Sequence, residues 1–137
     1  MAGEWKLIYE TELPIPFTCA DGTGIEKGAL LKLSDPMTVA TQDGDEDIIA
    51  GVAATEKIAS DGKTKIAVYR GGIFKATASG SITVGDTLAA SSASGRPKTA
   101  DATCVASKTL GISLETATDG ETFLLELRPA SNNKAYS

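Results

Sequence analysis

The sequence predicts an all-β fold: a compact β-barrel or β-sandwich built from two pseudo-repeated halves, with an extended N-terminal arm. Three observations point there. The chain echoes itself: Ile25-Glu-Lys-Gly-Ala-Leu-Leu31 returns as Ile82-Thr-Val-Gly-Asp-Thr-Leu88, keeping the Ile, the Gly three residues on and the Leu three beyond. In the same way Gly51-Val-Ala-Ala, Asp61-Gly62 and Ile66-Ala-Val return as Gly111-Ile-Ser-Leu, Asp119-Gly120 and Phe123-Leu-Leu-Glu-Leu127. Such a repeat decides architecture before any short motif does. Next, turn formers come at strand-length intervals, with Asp-Gly at 21, 43, 61 and 119 and Ser-Gly at 79 and 94. Finally, no amphipathic stretch carries helix caps. Short strands separated by regular turns form barrels or sandwiches.

The elements follow in order. Residues 1–24 are the expected arm. Trp5, Leu7 and Tyr9 alternate with Lys6, Ile8 and Glu10, the period of a strand. Leu13-Pro14-Ile15-Pro16-Phe17 is extended, because its prolines fix φ and remove ladder donors. An apolar segment of this kind must be covered. Either it closes the domain's own sheet as an edge strand, or it lies on another chain and adds a strand there. In the second case, deleting residues 2–17 would leave a folded domain.

Residues 25–129 are the expected β domain, with pseudo-repeats 25–70 and 82–128. Ser34-Asp35-Pro36 is turn chemistry before a short strand, Met37–Thr41. The small apolar run from Ile48 to Ile58 reads as a buried strand, since Gly51 lies within it and Leu110-Gly-Ile-Ser-Leu114 parallels it. Gly71-Gly72 reads as a hairpin turn and Ser79-Gly80 as the next turn. Ala89-Ala-Ser-Ser-Ala-Ser-Gly-Arg-Pro97 is the most flexible-looking loop. Pro129 ends the last strand, and residues 130–137 form a polar tail.

A chain of 137 residues suits one domain that buries somewhat more than about 60% of its surface. With 42% hydrophobic but only 5% aromatic residues, its core must rest mainly on Val, Ile, Leu and Ala. No apolar run approaches a membrane span, and Met1-Ala-Gly-Glu-Trp-Lys has neither the basic nor the apolar region of a secretory signal. We therefore expect no membrane partner. The net charge of −5, with scattered basic residues, argues against a nucleic-acid surface. Cys19 and Cys104 read as reduced, partly buried residues.

The absence of His removes the usual general base and the commonest transition-metal ligand. Asp43, Asp45 and Asp47 begin like a calcium loop, but Ile48 and Ala54 stand where such a loop needs Gly and Glu. The stretch therefore reads as a solvated loop. Glu56 and Glu115 fall at similar points of the two halves, which leaves a carboxylate pair for sugar hydrolysis conceivable beside the plainer reading of exposed sheet positions. No phosphate loop, zinc pattern or nucleophile elbow occurs. The expectation is a binding or structural module: not an enzyme, with no catalytic residue, cofactor or metal.

The units around Ile25–Leu31, Gly51–Ala54, Tyr69–Ala76, Ile82–Leu88, Gly111–Glu115 and Phe123–Leu127 resemble the head decoration, or cement, proteins of tailed bacteriophages. That resemblance implies a β-tulip-like barrel made in the host cytoplasm and carried on the capsid exterior of the virion. It further implies a homotrimer that binds the major capsid protein and clamps neighbouring subunits against the pressure of packaged DNA. The segment carrying Trp5, Leu7, Tyr9, Leu13, Pro14, Ile15, Pro16 and Phe17 becomes the expected capsid-binding arm. A tail or spike domain and a surface adhesion module remain as other readings.

Overall fold

The computed structural model describes residues 4–101, 104 and 106–129. Its strands are β1 (Lys6–Tyr9), β2 (Ile15–Thr18), β3 (Leu30–Asp35), β4 (Thr38–Thr41), β5 (Ile49–Ala53) and β6 (Lys65–Tyr69). They continue as β7 (Gly72–Thr77), β8 (Thr87–Ala90), β9 (Pro97–Thr99), β10 (Thr109–Ser113) and β11 (Thr122–Leu127). A 3-10 turn, Ala106–Lys108, precedes β10. The all-β expectation holds.

The strands form a closed barrel, in the order β2-β4-β3-β5-β6, and an open six-stranded sheet, in the order β1-β7-β11-β10-β8-β9. The repeat is visible strand by strand. β3 pairs with β4 and β5, and β5 with β6, just as β8 pairs with β9 and β10, and β10 with β11. Each half also recruits a strand from before it, β2 onto β6 and β7 onto β11. The bridges Ile25↔Lys57 and Ile82↔Ala117 occupy matching places. The paired glycines Gly28 and Gly85 have φ of 90° and 89°, a conformation closed to most side chains.

The barrel has its own interior, formed by Phe17, Cys19, Ile25, Leu31, Val39, Ala50, Ala53, Ile66 and Val68. A second core fills the space between barrel and sheet. There Leu30, Ile49 and Val52 from the barrel wall meet Phe74, Leu88, Leu110, Phe123, Leu125 and Leu127. Neighbouring Leu30 and Leu31 thus serve different cores, because successive strand residues point to opposite faces. Each such side chain contributes roughly 1.5–3 kcal/mol on burial.

Two expectations are corrected by this topology. Gly71-Gly72 is no hairpin turn: β6 belongs to the barrel and β7 to the sheet, so the glycines carry the chain across. A Cβ at Gly72, whose φ is 135°, would crowd Phe74, Tyr9 and Leu7. The 89–97 loop is not loose either. Its Ser91 hydroxyl donates to the Arg96 carbonyl at 2.6 Å, and Gly95 is buried.

Candidate functional site

The N-terminal segment does not stand apart as the arm its prolines predicted. Of its two alternatives, the segment takes the internal one. β1 pairs with β7 at the sheet edge, and β2 closes the barrel between β6 and β4. Trp5 is 4% exposed and Phe17 2% exposed, each in a core of this same chain. The Trp5 ring meets Phe74 edge-on at 5.8 Å, and its indole N–H donates to the Gly95 carbonyl at 2.8 Å. The Trp5 backbone N–H donates to the Gly28 carbonyl at 2.8 Å. The physical reason is proximity: the apolar residues that β1 and β2 must bury find cores beside them, which are complete only with these residues in place. A deletion of residues 2–17 would remove part of both.

Leu7, half-buried opposite Phe74, also packs against the core, whereas the rest of the segment faces outward: Tyr9 is 64% and Leu13 77% exposed, Ile15 and Pro16 are exposed, and Pro14 is half-buried. Residues 10–14 link β1 to β2 past the Arg70–Gly72 crossover, where Glu12 lies against Gly71. Enclosure, and then the neighbouring Glu10 carboxylate, push the Tyr69 phenol above its ordinary value. An open depression of about 510 Å³ lies beside β1, lined by Glu4, Trp5, Lys6, Leu7, Lys27 and Tyr69.

Gln42 and Lys57 are among the buried polar residues that escaped the sequence reading. Gln42 is fully enclosed. Its amide nitrogen donates to the Gly44 and Ser91 carbonyls, each at 2.8 Å, and its side-chain oxygen accepts from the Gly95 N–H at 2.7 Å. It thereby locks the 42–47 loop of the barrel to the 91–96 loop of the sheet, beside the Trp5 contact. Lys57 is also enclosed. Its ammonium donates to Asp61 Oδ1 at 2.7 Å, Asp21 Oδ1 at 3.1 Å, and the Ile58 and Asp21 carbonyls at 2.7 and 2.9 Å. Enclosure pulls Lys57 down, but the hydrogen bonds to Asp61 and Asp21 outweigh it and hold the ammonium above its ordinary pKa. The same bond holds the Asp61 carboxyl below its usual range, helped by the Lys63 N–H. The one sequence signal was Asp61 four residues after Lys57 and opening an Asp-Gly turn.

The acidic loop is internally paired. Asp43 meets Lys32 at 2.7 Å, Asp45 meets Lys98 at 2.8 Å, and the Asp47 carboxylate accepts from the Gly44 N–H at 2.8 Å. Among the described residues, no group of three or more His, Cys, Asp or Glu could hold a metal ion. Glu115 accepts from the Leu124 N–H at 2.9 Å and is exposed, as is Glu56. Cys19 and Cys104 are buried, and burial pushes both thiols up. Among the described residues, no helix is long and apolar enough to cross a membrane. What the molecule offers outward is therefore surface: the exposed apolar residues of the leader and the outer face of the sheet.

Comparison with known proteins agrees with that picture. A family model described as phage cement protein matches residues 9–128. Among solved structures, the chain is similar to the N base of the head fiber gp8.5 of bacteriophage phi29. The two share a TM-score of 0.56 and 20% identity over 83% of this chain and 93% of that one, a likeness of fold. No curated protein matches.

Proposed function

We infer the function from a premise of kinship: the chain belongs to the phage cement protein family. It is a structural protein of the phage capsid and not an enzyme. The finer reading is that it sits on the capsid exterior as a homotrimer, binds the major capsid protein and holds neighbouring capsid subunits together. The match across residues 9–128 carries this reading. A net charge of −5 suits a position facing solvent, away from packaged DNA. Several weak contacts made at once by an oligomer give tight attachment without any strong single contact.

Within the leader, the contact falls to its outward residues. Tyr9, Leu13, Pro14, Ile15 and Pro16 offer apolar surface, whereas Trp5 and Phe17 are spent on the interior. The test uses phage heads lacking this protein. The intact chain should co-sediment with them and raise the temperature at which they rupture. Leu13→Asp, at a side chain 77% exposed, should keep the fold and weaken co-sedimentation. A chain that stays in the supernatant with such heads defeats the reading.

A further inference from the structure

We propose that the open face of the six-stranded sheet is a docking surface for an acidic protein surface of the phage head. The partner's identity rests on the head-binding reading above; the surface itself is argued from the sheet.

One face of this sheet is spent on the core. The other should alternate to polar residues, as antiparallel sheets with a wet face do. It does so only in part: Thr77 and Thr122 are polar and lie opposite each other, but apolar residues interrupt the pattern. Directly opposed residues share a face, and Tyr9 lies opposite Ile73, Ile73 opposite Glu126, and Glu126 opposite Ile112. The row runs on from Ile112 to Thr87, and three of its five positions are apolar or aromatic. In the next row Lys6 lies opposite Lys75, and Lys75 opposite Leu124. Phe74 and Leu125, between the rows, point to the core, so the rows point outward.

The lysines say what the face meets. Like charges directly opposite on neighbouring strands oppose each other and destabilise the pairing. Neither Lys6 nor Lys75 joins an ion pair among the described residues, whereas Glu126, the acid in these rows, is taken by Arg128 at 3.4 Å. A chain with net charge −5 thus holds two adjacent, uncompensated ammonium groups beside an apolar patch. Carboxylates from a partner would neutralise both. The apolar row would supply the desolvated centre, with the lysines at its rim steering approach. A second copy docked by two-fold symmetry with the axis near these lysines would set lysine pairs together. A nucleic acid needs many more cations than this face has.

The experiment again uses the full chain and heads lacking it. Lys6→Glu and Lys75→Glu should each weaken head binding about tenfold or more, with the difference shrinking as salt rises. Each single reversal also creates an opposite-charge pair across β1 and β7, so the melting temperature should rise. Weaker binding from a more stable protein separates a docking role from a structural one. Wild-type binding that both variants keep within twofold overturns this inference alone. Loss of self-association or of DNA binding in Lys75→Glu, with head binding intact, also overturns it. Failure of the wild type to bind heads overturns it together with the head reading.

Discussion

Replacing Trp5 by Ala tests whether the leader belongs to the core. Trp5 is 4% exposed, stacks edge-on against Phe74 at 5.8 Å and donates its indole N–H to Gly95 at 2.8 Å. A buried Trp→Ala change costs roughly 3–5 kcal/mol through lost transfer energy and the cavity left behind. The ring pair accounts for about 0.5–1.5 kcal/mol of this, and a carbonyl left unpaired in the interior for about 1–3 kcal/mol. A loss of about 4 kcal/mol is a large share of a domain's usual stability of about 5–15 kcal/mol. It should lower the melting temperature by about 12 °C, at about 3 °C per kcal/mol for a chain of this size. Far-UV circular dichroism during urea and thermal unfolding reads the change without needing the lone Trp as a probe. Trp5→Phe keeps the edge contact but not the N–H, and should cost about 1–3 kcal/mol. If Trp5→Ala costs less than about 1 kcal/mol, the leader is not built into the interior as described.

Gly51→Ala and Gly111→Ala should each cost more than about 3 kcal/mol or prevent folding. At φ of 155° and 157°, a Cβ would drive into the Tyr69 and Glu126 carbonyl oxygens respectively, and equal damage from both, seen in soluble yield and urea midpoint, is the signature of the repeat. Gln42→Ala strands the buried Ser91 carbonyl and Gly95 N–H and the part-buried Gly44 carbonyl, and should cost about 3 kcal/mol by chemical denaturation. Because Lys57 holds the folded Asp61 carboxyl below its ordinary value, that stabilisation is present above about pH 4 and is lost as the pH falls through the folded value. Urea midpoints measured from pH 6 to pH 2 should therefore fall more steeply for the wild type than for Asp61→Asn. Both buried thiols should stay silent to a thiol reagent until the protein is unfolded, when Cys19 and Cys104 react together.

Local pattern reached the strands and the repeat. Gly28 and Gly85 stood at the same place in their units because both need a backbone turn open to glycine, and that need shows in the letters. The split into a closed barrel and an open sheet was less visible, since it depends on β2 leaving one edge free to close on β4 while β1 extends the other sheet. Alternation placed Trp5 on a strand but not in a core, because its partners Phe74 and Gly95 lie far along the chain. The 89–97 loop looked loose for the same reason: Gln42, which fixes it, belongs to the other half. Lys57 reads as one more surface lysine until Asp21 folds over it. The sheet face was hidden as well, because Lys6 and Lys75 become neighbours only through the β1–β7 register.

Binding of the purified chain to heads that lack it tests the account most directly. Analytical sedimentation should show the chain moving with the heads in a saturable, stoichiometric way, with the occupied heads resisting heat that ruptures bare ones. A well-folded chain that remains free at every concentration, leaving head stability unchanged, would contradict it.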